Sequence, residues 1–186
     1  HPIEIVDNMA DLAHMVPVHG SVDCAYFDNE FEGVVAIQRL TAGHRVLASS
    51  DAAISYETWY TGPALLQSRL EGELPALMLI AHTPIEDGRV RMRHALMVQS
   101  ADPADPEQGV AIARAYQEAS RSTLAQDLEL WTAKRAIIQP LAIPKDGPVG
   151  KVRQWYGQFY QPLPAAAEVQ QRVNGKVVSL DTRAMA

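Results

Sequence analysis

The segment from Asp7 to Gly20 gathers two carboxylates (Asp7 and Asp11), an amide (Asn8) and two imidazoles (His14 and His19) into one short run. Apolar residues lie between them, so the polar groups are carried toward the interior. There they need partners, and a metal ion is one such partner. Asp11 and His14 are three apart and on a helix would share a face. His14 and His19 are five apart, and at about 100° per residue a regular helix cannot aim both rings at one point. Pro17 disfavours helical geometry at Val16 and removes a backbone donor, which predicts a helix that ends or kinks there. The chain could then curl to bring His19 back beside His14, with Gly20 easing the exit through positive φ. The competing reading is a capped helix carrying one core and one surface histidine.

A third ligand is available far along the chain, in Gln126-Asp127-Leu128-Glu129-Leu130-Trp131. Asp127 lies three after Leu124 and four before Trp131, so it borders the apolar stripe of a helix, whereas Glu129 points elsewhere. A carboxylate in that position is costly unless it is paired or bound to a metal. With His14 and His19 it would complete the two-His-one-carboxylate set of non-haem Fe(II) sites, which leaves positions open for O₂. Two alternatives remain: an ion pair of Asp127 with Lys134 or Arg121, and a hydrolytic Zn²⁺ site built from the same donors.

The elements that must position these groups follow from periodicity. Residues 3–16 read as a short strand or coil running into a helix, and residues 21–30 as a polar loop. Strands are predicted at Phe31–Leu40, in the block ending at Ala48, and at Ala53–Tyr60, Leu65–Glu71 and Ala76–His82. Glu86-Asp87-Gly88 signals a hairpin turn. After it, Arg89, Arg91 and Arg93 alternate with Val90 and Met92, the pattern of a half-solvated antiparallel strand. Glu107 to about Lys134 is the longest helical candidate, with an apolar stripe of Tyr116, Leu124, Leu128 and Trp131. A second helix is predicted from Val149 to Tyr160. The sum is an α+β helix-grip (START-like) domain over residues 1–160, a curved antiparallel sheet packed around a long C-terminal helix, followed by a partly disordered tail from 161 to 186. A cavity between sheet and helix suits an apolar ligand.

Composition narrows the function. The chain has 186 residues, 47% hydrophobic and 20% charged, with a formal net charge of −6. That is enough for one domain with a sizeable core, and it argues against a nucleic-acid partner, because no basic stripe is present to neutralise phosphates. No apolar run reaches the roughly 20 residues of a membrane helix. A single cysteine, Cys24, excludes an intrachain disulfide framework and a cluster ligated by several cysteines of this chain, and fits a cytoplasmic location. The first residue is His1, and we expect an N-terminal part of the protein to lie outside this sequence.

The same segments carry a family resemblance. Asp7-Asn8-Met9-Ala10-Asp11-Leu12-Ala13-His14 with His19 resembles the iron-binding segment of Rieske-type non-haem iron oxygenases. Gln126 to Trp131, Asp146-Gly147-Pro148-Val149 and Arg153-Gln154-Trp155-Tyr156-Gly157-Gln158-Phe159-Tyr160 are similar to the C-terminal half of the 3-ketosteroid 9α-hydroxylase and cholesterol 7-desaturase group. So are His82-Thr83-Pro84-Ile85 and Arg89–Arg93. The resemblance implies a mononuclear Fe(II) on His14, His19 and Asp127, and a bridging role for Asp11 toward a neighbouring subunit's Rieske cluster. It places Asn8 near the iron without tight ligation. It further implies a mono- or dioxygenase component in a homotrimer, served by a reductase and acting with O₂ on a steroid-like or polycyclic apolar substrate. The Cys-x-His and Cys-x-x-His ligands of a [2Fe-2S] Rieske cluster are absent from this sequence, so that cluster is expected from a missing domain or another subunit.

The remaining candidates have plainer readings. His44, His82 and His94 fit structural or solvent-facing roles on or beside strands. Trp59 and Met78 are candidate substrate contacts, with core packing as the alternative. Trp155, Phe159 and Tyr160 fit an anchor for the last helix. A redox-inactive helix-grip module that binds an apolar ligand is the competing function.

Overall fold

The computed structural model describes residues 1–21, 24–43, 53–100, 102–141 and 143–179. His44 and the expected strand beyond Gly43 lie outside the described residues. Among the described residues, seven antiparallel strands form one sheet: β1 (Cys24–Glu32), β2 (Val35–Gly43), β3 (Ala53–Thr61), β4 (Leu65–Glu71), β5 (Ala76–Glu86), β6 (Arg89–Val98) and β7 (Gly175–Val178). The spatial order is β6-β5-β4-β3-β2-β1-β7. Six strands follow one another as a meander, and the last returns to the far edge beside β1. Helix α3 (Pro106–Ala133) packs against β6, and α1 (Pro2–Asn8), α4 (Val149–Gly157) and α5 (Leu163–Val173) complete the second layer. This is the expected α+β helix-grip arrangement.

Several local expectations hold. In β6, Arg89, Arg91 and Arg93 are exposed while Val90 and Met92 turn inward, and Gly88 supplies the positive φ of the turn before it. Helix α3 begins where Asp105 accepts a hydrogen bond from the Gln108 N–H and Pro106 occupies the first turn. Two polar contacts tie α3 to β6. His94 Nε2 donates to Ser120 Oγ at 3.0 Å, and Gln117 Nε2 donates to His94 Nδ1 at 2.7 Å.

Five expectations need correction. Residues 2–8 are helical, because Pro2 and Glu4 favour a first turn and Ile5, Val6 and Met9 bury one face against the core. Residues 24–30, within the stretch expected as a loop, belong to strand β1, and the strand expected over Phe31–Leu40 is divided between β1 and β2 by a turn at Gly33. The polar side chains of β1 are satisfied over long range: the fully buried Asp28 pairs with Arg39 and Lys176, and Asn29 Nδ2 donates to the Met9 carbonyl at 2.6 Å. Leu128 is exposed, so the inward stripe of α3 is Tyr116, Leu124 and Trp131. The stretch expected as a disordered tail contains α5 and β7, with Ala166 and Val173 buried; residues 180–186 lie outside the described set.

The C-terminal layer is an aromatic plug. Trp155 is fully buried and donates from Nε1 to the Gly33 carbonyl at 2.9 Å. Its ring meets Tyr60 edge-on at 5.7 Å and Phe159 at 5.3 Å. Gly62 is required here, since a Cβ at that position would fall 1.8 Å from the Phe159 ring.

Candidate metal centre

Two helices deliver the three candidate ligands. Helix α2 (Met15–His19) is a single short turn, with His14 as its N-cap residue and His19 as its last. Pro17 sits inside this turn, where its missing N–H is not needed; it does not end a longer helix, as the spacing had suggested. Gly20 closes the turn in left-handed geometry at φ 62°. The chain therefore bends between Asn8 and Met15, so His14 and His19 come from the two ends of a tight turn. Their rings stand 5.1 Å apart at 79°.

The turn is held in place from two sides. The Met9 carbonyl accepts from Asn29 Nδ2 and from Gln38 Nε2 at 3.1 Å, fixing the end of α1 to the sheet. The Leu12 N–H donates to the Asp146 carbonyl at 2.9 Å. Gly147 follows at φ 90°, and a Cβ there would come within 2.2 Å of the Ala10 carbonyl oxygen. On α1 itself, Asp7 receives a two-pronged bond from Arg153, Nε to Oδ1 at 2.7 Å and Nη2 to Oδ2 at 2.5 Å. Glu4 pairs with Lys134 at 2.6 Å, joining α1 to the end of α3.

Asp127, buried on α3, faces this turn. Its Oδ1 lies 3.3 Å from His19 Nε2 and 4.0 Å from His14 Nε2. One donor atom from each of the three residues lies within 4.8 Å of the others. Lys134 is committed to Glu4, and Arg121 contacts Glu118, so neither alternative partner expected for Asp127 is the one it meets. Glu129 is exposed, as its helical phase required.

The outer nitrogens of both rings are occupied. His14 Nδ1 lies 2.6 Å from the Asp11 carbonyl oxygen, and His19 Nδ1 lies 3.0 Å from Gln126 Oε1. An oxygen of that kind accepts a hydrogen bond, so each ring keeps a proton on Nδ1 and Nε2 is the atom left to face Asp127. This donor set fits a divalent metal: two neutral imidazoles, one carboxylate, fixed tautomers and a partly buried setting. Without a metal, burial works against a proton on His19. Hydrogen bonding and charge attraction from Asp127, with Gln126, outweigh it and raise the His19 pKa above its ordinary value. Burial likewise works against charge on Asp11, but hydrogen bonds and charge from His14, with the Ala13 backbone, hold its carboxyl below the usual range.

The triad closes one side of a cavity of about 150 Å³. Leu40, Leu66, Leu70, Met78, Ile80 and Leu124 form its apolar wall, and Asn8 also faces it. Met78 is therefore where a substrate contact was expected. Trp59 is not: it lies on the other face of β3, under the Arg69 guanidinium at 5.5 Å, while its neighbours Thr58 and Tyr60 are buried. His82 is hydrogen-bonded to Tyr60, and His94 to Ser120 and Gln117. Gln126 and the cavity residue Tyr56 went unread in the sequence. Gln126 could have been found, because a residue beside a ligand on the same helix is placed to hold another ligand's ring.

Comparison with known proteins accords with this geometry. The family model described as the 3-ketosteroid 9alpha-hydroxylase C-terminal domain matches residues 1–160. A Rhodococcus rhodochrous protein named as a probable 3-ketosteroid-9-alpha-monooxygenase, oxygenase component, is 35% identical over 178 residues, covering 86% of this chain and 43% of that protein. The 3-ketosteroid-9-alpha-monooxygenase oxygenase component of Mycolicibacterium smegmatis is 31% identical over 171 residues, covering 84% and 44%. The chain thus spans less than half the length of these relatives. Among solved structures, Pseudomonas putida CBB5 NdmB shares the fold at 11% identity with a TM-score of 0.58, covering 95% of this chain and 52% of that one. With 160 consecutive residues matched, the chain belongs to the 3-ketosteroid 9α-hydroxylase C-terminal domain family.

Proposed function

We propose that this chain is the catalytic domain of a Rieske-type non-haem iron oxygenase that hydroxylates a steroid-like or polycyclic apolar substrate. The observation that carries the reading is the convergence of His14, His19 and Asp127 at the wall of an apolar cavity. These three residues would hold Fe(II), and bound iron supplies the activation of O₂. Everything else falls to the protein. The Asp11 carbonyl and Gln126 fix the two ring tautomers, and the surrounding helices keep the ligands preorganised. The apolar wall excludes water and sets a C–H bond of the substrate beside the ligand cluster.

Asp11, partly exposed at the outer side of His14, suits the bridging role that the resemblance implies toward a Rieske cluster on a neighbouring subunit. Asn8, on the cavity side, suits a weak contact near the metal. A reductase and a trimeric assembly complete the scheme. Among the described residues no helix is long and apolar enough to cross a membrane.

Metal content tests the reading. The purified chain, loaded with Fe(II) under anaerobic conditions, should hold about one iron per chain, and His14→Ala or Asp127→Ala should hold none. A chain that binds no iron and takes up a sterol equally well with either change would instead be a redox-inactive ligand carrier. Preferential retention of zinc would point to a hydrolytic site.

A further inference from the structure

Four of the six methionines in the chain, Met9, Met15, Met78 and Met92, line one cavity. Met97 instead lies on the solvent side of β6 and is exposed. A thioether is flexible and apolar, and two-electron oxidation turns it reversibly into a polar sulfoxide. A cavity walled by sulfur can therefore change its character without a change of sequence.

One of the four sulfurs differs from the rest. Ser120 Oγ donates toward Met78 Sδ at 3.6 Å. The same oxygen accepts from His94 Nε2 at 3.0 Å, and Gln117 Nε2 donates to His94 Nδ1 at 2.7 Å. The imidazole proton thus occupies the acceptor side of Ser120 and leaves the serine proton aimed at the sulfur. Ser120 is buried, which shields that proton from bulk water. Among the described residues, no such donor meets the sulfur of Met9, Met15 or Met92. A thioether is only a weak acceptor, so the buried hydroxyl gains little from it. A sulfoxide oxygen on Met78 would be within reach of the same hydroxyl and would take up its full hydrogen bond. On the other three residues the oxygen would stand unpaired in an apolar wall, which is costly.

We infer that Met78 is an oxidation-sensitive modification site, at which hydrogen peroxide converts the thioether to a sulfoxide whose oxygen is held by Ser120. The sulfur gives an electron pair to one peroxide oxygen, the O–O bond breaks, and the other oxygen leaves as water with both protons. Sulfur is oxidised by two electrons and peroxide is reduced by two. The product sets a polar group in the cavity wall and lowers affinity for an apolar ligand. A methionine sulfoxide reductase, driven by a thiol, reverses the change. The inference rests on the proposed oxygenase function only for the origin of the peroxide: O₂ that takes two electrons and two protons without reaching a substrate leaves as hydrogen peroxide. The modification itself needs no iron.

The test treats the purified chain with hydrogen peroxide, with a chelator present to keep stray iron from generating radicals, and maps sulfoxide by peptide mass spectrometry. Met78 and Met92 are both half-buried cavity residues, so Met92 is the internal reference, and the exposed Met97 reports on the reagent. Met78 should oxidise about 3- to 10-fold faster than Met92, the range one neutral hydrogen bond supports. Ser120→Ala should bring the Met78 rate down to that of Met92. Equal rates in the wild type, or a ratio unmoved by Ser120→Ala, overturn the inference. The second readout is binding of N-phenyl-1-naphthylamine, an uncharged apolar fluorophore. Peroxide should weaken it about 10-fold in the wild type, through the cost of setting a polar group against an apolar ligand. Methionine sulfoxide reductase with dithiothreitol should restore it, and Met78→Leu should keep its affinity through the same treatment. A loss of equal size in Met78→Leu overturns the inference. A wild-type chain that takes up no fluorophore counts against the apolar-ligand reading of the cavity, and the sulfoxide map still decides for or against Met78. Loss of iron bears only on the metal reading.

Discussion

Two buried regions of this molecule use the same kinds of side chain to opposite ends. In the aromatic plug, the side-chain donors end on backbone carbonyls: Trp155 Nε1 and Gln158 Nε2 on Gly33, Tyr60 and Tyr156 hydroxyls on Pro63. Around the triad, backbone and side-chain acceptors take only the outer nitrogens of His14 and His19, and the inner nitrogens face Asp127. The plug's tryptophan, glutamine and tyrosine donors are taken up by its own chain. The triad is closed on one side and presents electron pairs on the other. A buried histidine or tyrosine is therefore not informative by type; what matters is whether the chain itself uses up its polar atoms.

The largest effect expected from this contrast lies at the triad. His14→Ala or Asp127→Ala should abolish stoichiometric iron, read by elemental analysis, while the ligand-free Tm moves little, because the lost side chains face a cavity. Next in size is the plug. Trp155→Ala should cost about 3–5 kcal/mol of stability, as large-to-small changes at a fully buried aromatic do, measured by urea unfolding. The folded fraction should still bind iron. If Trp155→Ala removed iron from protein that remained folded, the two regions would not be separable in this way.

A smaller effect sharpens the boundary between them. Gln126 touches His19 and not the cavity, so Gln126→Leu frees the His19 ring to turn and to change tautomer. Loss of an outer hydrogen bond to a metal-bound histidine typically weakens affinity by about 10- to 100-fold. Competition with a chelator of known affinity should show that loss without any fall in Tm. Equal affinity in the variant would mean that packing alone orients His19.

What the sequence disclosed follows the same division. The donor set was legible because its chemistry is carried by residue type and because Asp127 sits in phase with Leu124 and Trp131. Strands β4 and β6 and helix α3 were legible because their signals are local. Strand β1 was not, because Asp28 and Asn29 look like loop residues until Arg39, Lys176 and the Met9 carbonyl are placed beside them. Trp59 was misplaced for a different reason. Side chains alternate along a strand, and nothing in Ala53–Thr61 alone says which parity faces inward. The register with β2 and β4 decides it, setting Tyr56 opposite Leu40 and Leu70. The short turn of α2 was hidden because a proline tolerated in the first turn of a helix looks the same, in sequence, as one that ends a helix.

The smallest predicted effect concerns His82, the histidine of the plug. It is buried, and its Nε2 lies 2.5 Å from the Tyr60 hydroxyl. That hydroxyl donates its single proton to the Pro63 carbonyl at 2.7 Å, so His82 supplies the proton between them and Nδ1 is left bare. Burial lowers the His82 pKa below its ordinary value. In the window beneath about 6.5, the unfolded chain therefore binds a proton that the folded chain refuses. The stability contributed by neutral His82 is complete above that window and is lost as pH falls through it. His94 shifts in the same direction, through burial and the nearby Arg121 charge, but it is less enclosed and adds less. Unfolding measured at pH 7.5 and pH 5.5 should show a smaller acid-induced fall in Tm for His82→Gln than for the wild type. A fall of equal size in both would mean that His82 accepts a proton in the folded protein, and the plug would then be less closed than its hydrogen bonds indicate.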